Sequence, residues 1–237
     1  MGGVAEYDRQ VLESALEWWR DAGVDTLVED VPCDWFAKLP SIARAAPKPE
    51  TVDTMPEAWE AFVVWRGGSG APDASWAGPS VLASGPVDAA VMVLSDTPDR
   101  EDCAAGKLLT GEAGRLFDRM IAAIGLTRET VHLASVCARR PAGGRVSAAD
   151  QARLSEVVRH HLRLVAPKRL LLMGDAASRA VLETEVLRAR RRLYTLAHTS
   201  GQMKVVASFH PRLLLERPAR KREAWADLQM LIRGLGE

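Results

Sequence analysis

Four short apolar runs, separated by amphipathic stretches, constrain the fold of this chain more than any other feature. They are 90–94 (Ala-Val-Met-Val-Leu), 131–136 (Val-His-Leu-Ala-Ser-Val), 169–174 (Arg-Leu-Leu-Leu-Met-Gly) and 204–207 (Lys-Val-Val-Ala). Each is shorter than a helix needs and lacks clean polar alternation, the pattern of strands buried on both faces. Between the first two, Ala113, Leu116, Phe117, Met120, Ile121 and Ile124 recur at helical spacing up to Gly125. Between the next two, Leu154, Val157, Val158, His161, Leu162 and Val165 do the same, started by a capping-box-like Ser147 with Asp150 and stopped near Pro167. A helix over 176–182 follows the third run, and Ala224, Trp225, Leu228, Leu231 and Ile232 give the inner face of a last helix. Strands alternating with helices predict an α/β fold: a three-layer α/β/α domain around a central, mostly parallel four-stranded sheet with right-handed crossovers.

With 237 residues, 47% of them hydrophobic, the chain can bury one sizeable core and carry an extension. No apolar run approaches the roughly 20 residues of a membrane span, and the first residues are acidic and helical where a secretory leader is basic and then apolar. A cytoplasmic protein with no membrane partner is expected. Cys33, Cys103 and Cys137 include no CxxC pair, so one chain offers neither a disulfide framework nor a four-thiolate metal site. His132, His160 and His161 lack ligand spacing, and no metal is expected on them.

The formal net charge of zero hides a split. Residues 1–66 hold 13 acidic and 6 basic side chains, net −7, whereas 186–237 hold 11 basic and 4 acidic, net +7. The C-terminal part can meet a polyanion through the runs at Arg188 to Arg192 and Arg217 to Arg222, although such runs also serve as solvated helix faces. The acidic part reads as a helical N-terminal extension over 1–66, packed on the body and able to hold a protein partner. It contains an amphipathic helix over 7–22, an arm with Trp35 and Phe36, and a short helix after Pro56 through Trp59, Phe62 and Val63. The glycine-rich stretch from Gly67 opens the second domain, 67–237.

One segment points toward chemistry. Ser208-Phe209-His210-Pro211 runs into Arg212-Leu213-Leu214-Leu215, setting a titratable imidazole beside three leucines on what reads as a loop. His210 would follow a strand's carboxyl end, where open α/β sheets place their ligand crevices. Exposed leucines there would form a wedge of the kind pushed between base steps by proteins that extract bases from DNA. Histidine-proline turns and leucine runs are also common in ordinary cores.

Several blocks together resemble the family-4 branch of the uracil-DNA glycosylase superfamily, bacterial enzymes that remove uracil from DNA. The match covers roughly the last 150 residues. It rests on the first strand and its loop Ser95-Asp96-Thr97-Pro98-Asp99, the helix from Leu116 to Leu126, and the loop Arg140-Pro141-Ala142-Gly143-Gly144-Arg145. The His210-Pro211 loop and the Lys221-Arg222-Glu223-Ala224-Trp225 helix complete it. The resemblance implies a uracil-DNA glycosylase-like fold, DNA as partner, and a base pocket. Asp96 stands at the family's catalytic Glu and His210 at its catalytic histidine. Pro98, Leu109 and Ser135 fall on the substrate-binding loop proline, the pocket phenylalanine and the uracil-reading asparagine. DNA contacts would come from Arg139, Arg140, Arg145, Arg212, Leu213 and Leu214.

The departures carry physical weight. Both glycines of the family's first loop are replaced, and the slot of one iron–sulfur cysteine holds Arg139, so no cluster and no other cofactor is expected. Ser135 cannot read a base edge bidentately as an amide does, a loss of roughly 1–3 kcal/mol of selectivity. Leu109 in place of an aromatic removes about 1–3 kcal/mol of stacking. Asp96 is one methylene shorter than Glu, and a shift of about 1 Å can slow a reaction on the order of 100-fold. Asp96 also fits the plainer role of capping a turn. Two functions follow: a degenerate, non-catalytic member that binds DNA or a repair partner, favoured by the joint losses, or an active DNA N-glycosylase with weak or altered specificity.

Overall fold

The computed structural model describes residues 55–198 and 201–234, together with residues 14, 17–19 and 21. Those five residues are helical, and the rest of the 7–22 helix and the arm with Trp35 and Phe36 lie outside the described residues. The chain divides into two compact units, 1–51 and 52–237. The first described helix of the second unit is α1 (Trp59–Gly67), which sequence reading assigned to the extension. It belongs with the main unit for a packing reason. Phe62 is buried, and the Trp59 ring lies 5.2 Å from each of His132 and His161, which stand on a strand and a helix of that unit.

The central sheet has five strands, where four were expected. They are β1 (Val91–Ser95), β2 (Val131–Ser135), β3 (Arg169–Met173), β4 (Leu193–His198) and β5 (Gly201–Ser208), in the order β2-β1-β3-β5-β4. The extra strand, β4, runs antiparallel to β5 at the edge, and the other pairings are parallel. Side-chain alternation splits the core into two faces. Met92, Leu94, Leu170, Leu172, Val205 and Ala207 meet α4 (Ala148–Val165) and α5 (Asp175–Leu182). Val91, Val93, Leu133, Leu171, Met173 and Val206 meet Phe117 and Ile121 of α3 (Gly111–Ala122) and Leu228 and Leu231 of α8 (Lys221–Ile232). Three short helices complete the domain: α2 (Arg100–Ala105), α6 (Val186–Ala189) and α7 (Pro211–Glu216).

Local chemistry sets the boundaries. The Ser147 hydroxyl caps α4 by accepting the Asp150 N–H at 3.1 Å. Pro211 occupies the first turn of α7 and His210 is its N-cap, so the three leucines that read as a loop are helical. Register then fixes the rim. Ser95 stands beside Ser135 and Met173, and Met173 beside Ser208, so the chain leaves four parallel strands at one level. The first crossover leads from β1 outward to β2, and the next returns past β1 to β3 on its other side. The gap between the ends of β1 and β3 is therefore the topological switch point, the place where such sheets hold ligands.

Candidate functional site

Asp96 is the first residue beyond β1 and lies at that switch point. Its Oδ1 accepts the Ala177 N–H at 2.9 Å and its Oδ2 the Asp175 N–H at 3.1 Å, both in the first turn of α5. The helix N-terminus supplies donors with no partner of their own, and a carboxylate satisfies them. Burial nonetheless pushes the Asp96 carboxyl up to about 6, against the opposing pull of the Ala177 N–H and Arg212. Gly174 makes the approach possible, since a Cβ there would overlap the Asp96 carboxylate and its φ of +105° suits glycine.

His210 enters the same rim from β5. Its Nδ1 accepts the Arg212 N–H at 3.2 Å, which leaves the proton of the neutral ring on Nε2. That Nε2–H donates to Ser95 Oγ at 3.0 Å. Ser95 is 2% exposed and His210 5% exposed, so the bond is shut away from water. Burial, reinforced by the Arg212 charge, holds the imidazole down to about 3, which keeps it neutral above pH 4. Arg212 itself reaches the Asp99 carboxylate, which also takes Arg140 at 3.4 Å.

Two cavities open beside Asp96. One of about 270 Å³ is lined by Asp96, Gly174, Val186, Leu187, Phe209, His210 and Leu213, with Arg217 and Arg220. The other, about 420 Å³ and more polar, is lined by Asp96, Asp175, Gln151, Arg145, Arg179 and Arg212.

Comparison with known proteins places this arrangement. The family model described as the Uracil DNA glycosylase superfamily matches residues 82–229, more than half of the chain and all four rim loops. The chain belongs to that superfamily. Three relatives, each a "Type-4 uracil-DNA glycosylase", are similar to it. The protein of Archaeoglobus fulgidus is 25% identical over 150 residues, 60% of this chain and 75% of the relative. That of Pyrobaculum aerophilum is 24% identical over 163 residues, 65% and 83% of the two chains. That of Thermotoga maritima is 23% identical over 136 residues, 57% and 71%.

The superfamily resemblance predicted one pocket bounded by Asp96, Leu109, Ser135 and His210. Their loops do share the rim, but their side chains part. Asp96 and His210 line the 270 Å³ cavity. Leu109 is 1% exposed and lies in the core with Phe117, at an unusual φ of +52°, its carbonyl held by Arg128 at 2.5 Å. The Ser135 hydroxyl turns to the Cys137 carbonyl at 2.7 Å, and the residue lines a separate recess of about 20 Å³ beside Trp59 and Phe62. Pro98 is buried and its carbonyl accepts Arg140 at 2.8 Å.

The residues expected to meet DNA also divide. Arg145 is exposed and Arg212 partly so, both on the larger cleft, and Leu213 lines the smaller cavity. Leu214 is 1% exposed in the core, because the helix turns it inward, so it cannot serve as a surface wedge. Arg139 is spent on structure: it donates to the carbonyls of Ala74 at 2.7 Å and Gly67 at 3.2 Å. Thr110, at the start of α3, gives its N–H and hydroxyl to Asp102 at 2.7 and 2.8 Å.

The family's iron–sulfur cluster does not fit this donor set. Three cysteines cannot supply four thiolates from one chain, and Cys137 is buried with its thiol pushed up by desolvation. His132 and His161, away from the rim, hold one another. His132 Nδ1 donates to the Pro86 carbonyl at 3.1 Å, so its Nε2 accepts from His161 Nε2 at 2.9 Å.

Sequence reading missed the supports of the site. Ser95 was counted only as a lost glycine. Arg190, part of a run read as surface charge, is buried under the His210 loop. Its guanidinium lies 3.8 Å from the Phe209 ring centre and donates to Asp227 at 2.7 Å, which also accepts the Ser208 hydroxyl at 2.9 Å. Asp73 likewise joins Arg66 to the Ala138 and Arg139 amides. Nothing in the local sequence marks these partners, which lie from 7 to 115 positions apart.

Proposed function

We propose that this protein is a DNA repair member of the superfamily that binds DNA at the carboxyl rim of its sheet and excises uracil slowly or not at all. The printed names of the relatives bring uracil-containing DNA to this chain as the substrate to test. The bond from His210 Nε2–H to Ser95 carries the reading. A neutral imidazole can aid departure of a base by donating to its oxygen, but a ring with one N–H has one such bond to give. Here it is given to a buried hydroxyl, and Leu109 is closed into the core instead of offering a stacking face. DNA binding is supported by Arg145, Arg179 and Arg212 around the cleft beside Asp96, since arginine forks suit phosphate oxygens.

One observation favours an active glycosylase as the second reading. Asp96, with its carboxyl near 6, is mostly ionised at pH 7 beside a cavity, and a carboxylate oxygen that accepts one N–H keeps a lone pair for water.

Single-turnover incubation at protein excess with single-stranded oligonucleotides bearing uracil, hypoxanthine or xanthine separates the two, run beside fluorescence anisotropy with the same strands. Salt-dependent binding with few or no abasic sites from uracil is expected. Robust uracil excision that disappears in His210→Ala would overturn the proposal in favour of the enzyme.

A further inference from the structure

Two cavities share Asp96 and Asp175 as a common wall. The smaller, at about 270 Å³, lies just under the roughly 300–1,000 Å³ of small-ligand pockets. Its walls combine the apolar faces of Phe209, Val186, Leu187 and Leu213 with charged groups at Glu185, Arg217 and Arg220, faces against which a flat heterocycle can lie and polar atoms that can meet its edge. The larger, at about 420 Å³, gathers three guanidinium groups. Arg145 is exposed and forms no ion pair among the described residues; Arg179 shares Asp175 and Glu185, and Arg212 shares Asp99. Planar forks on separate elements are the donors that phosphate oxygens accept, and each guanidinium has five N–H groups, more than its present partners take up.

We propose that the two cavities form one nucleotide site, the base seated in the smaller and its phosphate held by Arg145, Arg179 and Arg212 in the larger. The site rests on the DNA-binding reading and deepens it, because the unit bound is a single unstacked nucleotide, within a strand or free. It is separate from the base position implied by family resemblance, since Leu109 and Ser135 line neither cavity. Leu187, on α6, stands at the mouth and is exposed, so a larger side chain there fills the pocket without touching the core.

The test compares the wild type, the double variant Arg145→Ala with Arg179→Ala, and Leu187→Trp. Probes are labelled oligothymidylate, an abasic strand of the same length, and thymidine monophosphate. The double variant should weaken every probe about tenfold and flatten the strand's salt dependence by about 1.4 in log–log slope, two contacts at ~0.7 each. Leu187→Trp should weaken oligothymidylate and the monophosphate about tenfold and leave the abasic strand unchanged. Monophosphate binding with no strand binding would assign the site to free nucleotides and remove the DNA-binding reading. Strand binding sensitive to both variants, with the monophosphate unbound, would assign it to DNA. Two results overturn the proposal: strand binding indifferent to both variants, which leaves the DNA-binding reading standing elsewhere on the rim, or no binding of any probe, which removes both.

Discussion

Lowering the pH from 7 to 5 should separate the two titratable groups of the rim, because the fold moves their pKa values in opposite directions. His210 is held from its ordinary 6.5 down to about 3, by burial first and the Arg212 charge second. Below about 6.5 the unfolded chain gains a proton that the folded chain refuses, so stability falls as pH falls, by about 1.4 kcal/mol per unit. At pH 5 the loss is about 2 kcal/mol. Asp96 is raised from 3.8 to about 6, so the folded chain takes its proton first and stability rises as pH falls through 6. That gain is about 1.4 kcal/mol by pH 5. In the wild type the two nearly cancel. Two variants expose them: across the interval His210→Gln should gain about 2 kcal/mol relative to wild type, and Asp96→Asn should lose about 1.4 kcal/mol. His132 and His161, also lowered by burial, add an acid-side loss common to all three proteins, which drops out of the differences. Urea titrations at pH 7, 6 and 5 measure them, with constant m-values securing the comparison. If His210→Gln follows the wild-type pH profile to within about 0.5 kcal/mol, the imidazole is not excluded from water and the reasoning fails.

Other perturbations read single contacts. Asp227→Ala removes one of the two carboxylates on the buried Arg190 guanidinium, leaving Glu223 at 2.6 Å, and leaves the buried Ser208 hydroxyl without its acceptor, so it should cost about 1–3 kcal/mol, read by thermal or urea unfolding; a loss under about 0.5 kcal/mol would contradict the buried pair. Gly174→Ala places a methyl on the Asp96 carboxylate at positive φ, so it should destabilise by at least about 2 kcal/mol and abolish the acid-side gain assigned to Asp96. Leu214→Ala should cost about 2–5 kcal/mol with little change in DNA affinity, whereas a surface wedge would show the reverse in anisotropy and melting.

Sequence pattern carried the framework well because strands buried on both faces announce themselves as apolar runs, and β1, β2, β3 and β5 all do. The edge strand β4 escaped for the opposite reason. It follows an arginine run, and over residues 193–197 Tyr194 and Leu196 are turned partly inward while the others are exposed, so its alternation is short and half-exposed. The meeting of the Asp96, Ser135 and His210 loops at one rim was legible from topology, since parallel strands deliver their loops to a common edge. Side-chain directions were not. Pro211 suits the first turn of a helix, which makes Leu213 and Leu214 helical and turns them different ways, whereas the three leucines read as a loop. The grip of α5 on Asp96, the Ser95 bond and the Arg190–Asp227 pair join distant segments, and such partners leave no periodicity to read.

The central claim is that the single N–H of His210 is committed to Ser95. Long-range ¹H–¹⁵N correlation of the histidine rings observes it directly, before and after excess uracil-containing single strand. A neutral ring protonated at Nε2, with the same Nε2–H signal when DNA is bound, is the predicted result. A proton on Nδ1, or an Nε2–H signal that moves as the uracil strand binds, would contradict the account.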